Sequence, residues 1–204
     1  MGASLAGTRA ADSLRRRGFD GALTLTGAEP VAAYQRPSLS KAILTGAQQA
    51  SDIAFPQRDL DADIRLGTEA VRLNVVKRRD WLREGNRDPY EHPYDGLLIA
   101  CGTRPRRLPG PHLPGVHTLR TVADADMLRS DLHTGSPRVA VVGAHWIGKE
   151  VASAARGLGL DVTLIDPLPF PGARTLGTRR RTGARSPAPG TQYSAAHGLR
   201  RIRT

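Results

Sequence analysis

Apolar residues recur at helical spacing near the start of the chain. In SLAGTRAADSLRRR, residues 4–17, Leu5, Ala6, Ala10, Ala11 and Leu14 fall on one helical stripe, and Arg15, Arg16 and Arg17 sit in the last turn, where the helix dipole favours cations. Gly18 then supplies a stop. ALTLTGAE, residues 22–29, reads as a short strand that ends at Glu29. Residues 30–60 are rich in turn formers, with one short helix over residues 38–44. ADIRLG and EAVRLNVV, within 62–76, read as strands, and the polar stretch 78–93 as a hairpin. YDGLLIACG, 94–102, predicts a buried strand running into a glycine turn. RPRRLPGPHLPGV has four prolines in thirteen residues and reads as a linker between domains. A helix is predicted over 122–133. Residues 138–167, RVAVVGAHWIGKEVASAARGLGLDVTLIDP, then give strand, glycine turn, helix, strand and acidic residue in succession.

Composition limits what such elements can do. The chain has 204 residues, 39% hydrophobic and 4% aromatic, enough for a core but not a generous one. Its single cysteine, Cys101, excludes an internal disulfide framework and a cysteine-rich zinc site, and no metal site is predicted. No apolar run approaches the roughly 18 residues of a membrane helix, and no signal pattern opens the chain, so a cytoplasmic protein is expected. The net charge of +11 invites a nucleic-acid reading. However, residues 174–204 hold eight Arg and no acidic residue, which leaves +3 for residues 1–173. This aperiodic stretch is expected to be a poorly ordered, solvated tail, with a functional basic arm as the alternative. No aromatic interleaving accompanies its arginines, and nucleic acid is not an expected partner.

Two glycine turns carry the chemistry. In a dinucleotide turn the first glycine allows the bend, the second lets the backbone approach the pyrophosphate, and the third lets helix and strand pack. The phosphates rest on free N–H groups of the helix, and the acid ending the next strand bonds the ribose. Gly2, Ser4 and Gly7 form the first such turn, with Glu29 as ribose ligand; no strand precedes it in this sequence. Gly143, His145 and Gly148 form the second, with its full strand–helix–strand frame and Asp166 at the acidic end. His145 replaces the central glycine and predicts a steric conflict with a pyrophosphate. The second unit either binds NAD(P)H or is a normally packed βαβ unit that binds it poorly.

The ordered run of GASLAGTRAADSLRRRGFDGALTLTGAEP, YQRPSLSK, DIRLGTEAVRLN, YDGLLIACGTRPR, VHTLRTVADADMLR and VVGAHWIGKEVASAARGLGLDVTLID resembles the FAD-dependent ferredoxin and rubredoxin reductases. These belong to the pyridine nucleotide-disulfide oxidoreductase superfamily. The resemblance runs from Met1 to about Arg174 and matches the front half of a typical member. It implies an α/β fold: a Rossmann-like FAD-binding domain over 1–108 that lacks its first strand, a partial NAD(P)H-binding domain over 109–173, and a small β-meander. It implies that Gly2, Ser4 and Gly7 hold the FAD pyrophosphate and that Glu29 binds the ribose. Arg36, Pro37 and Lys41 would lie beside the flavin, with Lys41 near its reactive edge. Ala100, Cys101 and Gly102 match the family's Ala-Thr-Gly turn over the FAD. Gly143 and Gly148 would hold NADH, and Asp166 would favour it over NADPH because a carboxylate repels a 2′-phosphate. Hydride would pass from NADH to flavin and single electrons onward to a ferredoxin or rubredoxin type acceptor. Residues 35–41 lack the redox cysteine of disulfide reductases, and Cys101 reads as a small structural residue. Because residues 175–204 fail to match the family, a truncated or frameshifted product is expected. The alternative function is a non-catalytic nucleotide-binding remnant of such a reductase.

Overall fold

A computed structural model describes residues 1–55, 60–111 and 113–167, and the backbone of 192–196 and 199–203. The chain divides into two compact units. The first holds Met1–Arg36 and Ala50–Arg106, the second Pro37–Gln49 and Arg107–Thr204. Residues 37–49 therefore group with the second unit.

In the first unit, α1 spans Leu5–Arg16 and ends before Gly18, whose φ of +83° suits glycine. The helix buries Gly7 and Ala11. Ala11 joins Ala3, Leu25 and Leu60 in a small apolar cluster. Arg15 does more than face the helix dipole. Its guanidinium donates to the carbonyls of Leu60, Phe19, Gly21 and Asp61, tying the helix end to the chain that follows. β1 (Thr24–Gly27) pairs in parallel with β2 (Asp63–Leu66), Thr24 facing Asp63 and Gly27 facing Leu66. β3 (Thr68–Asn74), β4 (Arg79–Glu84) and β5 (Tyr90–Pro93) form the expected antiparallel meander, with an irregularity between Ala70 and Arg72. Leu82 is wholly buried in its centre, and Arg72 lies 4.5 Å over the Trp81 ring.

The strand predicted over 94–102 is not found. The segment forms no ladder, and Leu98 and Ile99 are exposed. A buried parallel strand needs neighbours on its edges and layers on both faces. Here the Met1 amine donates to the Leu98 carbonyl at 2.9 Å, Ala100 N–H donates to the Met1 carbonyl at 2.7 Å, and Gly2 N–H donates to the Thr26 carbonyl at 2.8 Å. A single residue, Met1, thus makes the contact where a ladder was expected.

In the second unit, β6 (Arg138–Val142), α4 (Trp146–Gly157) and β7 (Asp161–Asp166) make the predicted βαβ element, with β6 and β7 parallel. Between Pro37 and Gln49 lies α2 (Ala42–Thr45), one short turn ended by Gly46 at φ +77°. It buries Ile43 and Leu44 and packs against α4 and against α3 (Val122–His133). Thr121 and Asp124 close the start of α3 as a reciprocal capping box. The poorly ordered tail expected over 174–204 falls largely outside the described residues. Within it, β8 (Gln192–Ala196) and β9 (Leu199–Arg203) form an antiparallel pair, and β9 runs antiparallel to β7, giving the sheet order β6-β7-β9-β8. No helix among the described residues is long and apolar enough to cross a membrane.

Candidate functional site

The two glycine turns have the same backbone geometry. Gly2 and Gly143 take φ +106° and +107°, a region that favours glycine. Gly2 N–H donates to the Thr26 carbonyl and Gly143 N–H to the Ile165 carbonyl, at 2.8 and 2.7 Å. A Cβ on Gly7 would collide with the Gly2 carbonyl oxygen, and one on Gly148 with the Gly143 carbonyl oxygen. Ser4 (φ −97°, ψ −164°) and His145 (φ −80°, ψ −171°) are the N-caps of α1 and α4 in extended conformations open to any residue. His145 therefore leaves the turn itself undistorted, and any conflict lies between its side chain and a ligand. In each turn the last glycine lets the helix pack directly on the first glycine's carbonyl, the close packing of a dinucleotide-type turn.

Around the first turn, the structure gathers Gly2, Ser4, Gly7, Glu29 and Arg36. The Arg36 guanidinium donates to Glu29 Oε1 at 2.5 Å, to the Tyr34 hydroxyl at 2.9 Å and to Ser4 Oγ at 3.4 Å. The Tyr34 hydroxyl donates to Glu29 Oε2 at 2.5 Å, and Arg36 lies 4.9 Å over the Tyr34 ring. Glu29 is thus held by two partners while its side chain stays 28% exposed, open enough to meet a ribose. Ala100 backs the turn: a Cβ on Gly2 would strike its carbonyl. Cys101 is exposed, and Gly102 follows at φ +68°.

Pro37 and Lys41 belong to the second unit. Lys41 Nζ donates to the Pro37 carbonyl at 3.0 Å and pairs with Glu150 Oε2 of α4 at 2.8 Å. The buried Ser40 hydroxyl donates to the same carboxylate oxygen at 2.5 Å. The Lys41 ammonium, and after it the Ser40 hydroxyl, hold the Glu150 carboxyl below the usual carboxylate range. A carboxyl lowered on folding stabilises the folded state above its unfolded value of about 4.3. That contribution fades as pH falls through the lowered folded value. In acid titrations of unfolding free energy, the wild type should therefore lose stability below about pH 4 more steeply than Glu150→Gln. Parallel acid limbs would contradict this.

At the second turn, Gly143, Gly148 and Asp166 come together, but Asp166 is used differently from Glu29. The carbonyls of Thr26 and Ile165 are equivalent, so Asp166 corresponds to Gly27, and Glu29 lies two residues further along its chain. Asp166 is 5% exposed and its Oδ2 accepts from Ala144 N–H at 2.6 Å. At Gly27 a Cβ would press on the Ala3 methyl at 2.9 Å, so no side chain fits there. Trp146, at the start of α4, is 55% exposed, with Lys149 Nζ 4.4 Å over its ring.

Sequence reasoning did not single out Tyr34, Ser40 or Glu150. The first two lie in AYQRPSLSK, beside the quoted Arg36 and Lys41, and their polarity within that motif was a usable signal. Glu150 carries none, because one acid on an amphipathic helix looks like a solvated face.

Twin glycine turns of this geometry are those of a dinucleotide-binding type of α/β fold. The chain belongs to the pyridine nucleotide-disulphide oxidoreductase family, whose model matches residues 1–185. It is 43% identical over 178 residues to rhodocoxin reductase of Rhodococcus erythropolis, covering 86% of this chain and 42% of that one. It is 40% identical over 189 residues to the ferredoxin–NAD(+) reductase subunit of the benzene 1,2-dioxygenase system of Pseudomonas putida, covering 90% and 44%. The crystal structure of Fdr9 superposes with a TM-score of 0.78 at 42% identity, covering 88% of this chain and 44% of that one. The chain thus spans less than half the length of the relatives it matches.

Proposed function

We propose that this chain is the FAD- and NADH-binding part of a reductase that passes electrons from NADH to a ferredoxin or rubredoxin type acceptor. The observation that carries this reading is the Ser4–Glu29–Tyr34–Arg36 network set against a glycine cradle. It offers a pyrophosphate both free helix N–H groups and a guanidinium, and offers a ribose a fixed carboxylate. Relatives described as a rhodocoxin reductase, at 43% identity, and as ferredoxin–NAD(+) reductases, at 38–40%, support it. FAD, when bound, would take a hydride from NADH and release electrons singly, chemistry that belongs to the cofactor.

The protein's own contribution is positional. Gly2, Ser4 and Gly7 would hold the FAD pyrophosphate, and Ala100, Cys101 and Gly102 would lie over it. By resemblance to the family, Arg36, Pro37 and Lys41 would flank the flavin. Gly143 and Gly148 would receive NADH, and the Asp166 charge beneath that turn would disfavour a 2′-phosphate. On this proposal residues 1–108 serve FAD, residues 109–173 serve NADH, and the protein works in the cytoplasm.

A second reading, a non-catalytic nucleotide-binding remnant, is favoured by one observation: His145 stands where the second turn would otherwise have glycine. Purification separates the two. A yellow chain absorbing near about 450 nm, bleached by NADH without oxygen, is expected for the reductase. A colourless chain that FAD cannot reconstitute removes that reading.

A further inference from the structure

His145 and Ser4 occupy equivalent places. Both cap their helices with nearly the same φ and ψ, so their Cβ atoms leave the two turns in corresponding directions. At the first turn the Ser4 side chain meets a cation: its Oγ accepts from Arg36. At the second turn the side chain in that place is an imidazole that makes no capping bond of its own.

We propose that His145 is a pyrophosphate ligand that acts in its protonated form, so that the second turn takes up a dinucleotide together with a proton. The inference rests on reading this turn as the nucleotide site. One imidazolium then provides what Ser4 and Arg36 provide as a pair, a hydrogen-bond donor and a positive charge at the helix N-terminus. It also changes the meaning of the substitution. A neutral imidazole only crowds the phosphates, whereas a protonated one attracts them.

The charged residues nearest this turn are Asp166 at the end of β7, Arg200 opposite it in β9, Lys149 and Glu150 on the first turns of α4, and Lys41; Arg138, Asp161 and Arg156 lie at the far ends of β6, β7 and α4. Asp166 is bonded to Ala144 N–H, Lys149 lies over Trp146, and Lys41 is paired with Glu150. Carboxylates and ammonium groups ordinarily titrate outside the range from about pH 6 to 8, where imidazole changes charge. His117, bonded to Asp131, and His133, bonded to the Leu44 carbonyl, are the other histidines described in this unit.

The test is ADP-ribose binding to the full chain, followed by fluorescence of Trp146, which adjoins His145. The signal is assigned to Trp146 by its loss in Trp146→Phe and to this turn by its loss in Gly148→Ala. The wild type should bind about tenfold more tightly at about pH 6 than at about pH 8. The enthalpy in buffers of different ionisation heat should reveal proton uptake. His145→Gln should bind with no pH slope, and His145→Gly should match or exceed the wild type at about pH 8. A flat wild-type profile with binding intact would overturn the inference while leaving the nucleotide site standing, and so would an unchanged slope in His145→Gln. Absence of this signal from every variant, His145→Gly included, would remove the nucleotide site and the inference with it.

Discussion

Gly7→Ala should release the flavin. The new methyl would be driven into the Gly2 carbonyl oxygen, a backbone atom that cannot swing aside as a side chain could. Gly2 is itself fixed, since its N–H is bonded to Thr26 and its Cα faces the Ala100 carbonyl. Relief therefore requires α1 to move away from the turn, which separates the helix N–H groups from the place a pyrophosphate would take. Overpacking of this kind costs about 1–3 kcal/mol. Gly18→Ala is the control. It keeps the strain of a φ of +83°, but no atom lies within 4 Å of the new methyl. It should cost about 1 kcal/mol and leave cofactor content unchanged. Flavin absorbance per protein after gel filtration, alongside urea unfolding, measures both effects. Equal flavin content in Gly7→Ala and wild type would show that the first turn does not hold the cofactor.

Asp166→Ala should destabilise the second unit by about 1–3 kcal/mol, because it leaves the buried Ala144 N–H without its acceptor. Asp166→Asn keeps an acceptor oxygen for the Ala144 N–H and removes the charge. The pair of variants separates the two contributions of this residue. The alanine variant should unfold at lower urea concentration, and its Ala144 amide should exchange faster. The asparagine variant should stay near wild type in both. An alanine variant as stable as the wild type would mean that the buried bond carries little.

Much of this was legible in the sequence, for identifiable reasons. The α1 stripe and its Gly18 stop, the β6–α4–β7 element and the β3–β5 meander depend on short-range periodicity and on glycine placement. Both are properties of consecutive residues, and the structure has all of these elements. The twin turns were legible because only glycine fits where a Cβ would meet a carbonyl. What escaped depends on partners far along the chain. YDGLLIACG has the composition of a buried strand, yet Leu98 and Ile99 are exposed, since burial depends on neighbours that the segment does not itself specify. Glu150 gains its role from Ser40 and Lys41, more than a hundred residues earlier. Asp166 and Glu29 read alike as acids ending strands, and only the hydrogen bonds of Gly2 and Gly143 reveal that they are out of register by two residues.

The assignment of residues 37–49 to the second unit has a consequence for biosynthesis. A ribosome that has delivered residue 106 has delivered every residue of the first unit, but α2 within that stretch still waits for α3 and α4. Ile43 and Leu44, 1% and 0% exposed once folding is complete, must emerge before the helices that pack against them exist. During that interval the nascent chain presents a short apolar hook suited to a ribosome-associated chaperone. Slowing translation between residues 106 and 146 should lengthen the interval and raise the fraction of chains that aggregate.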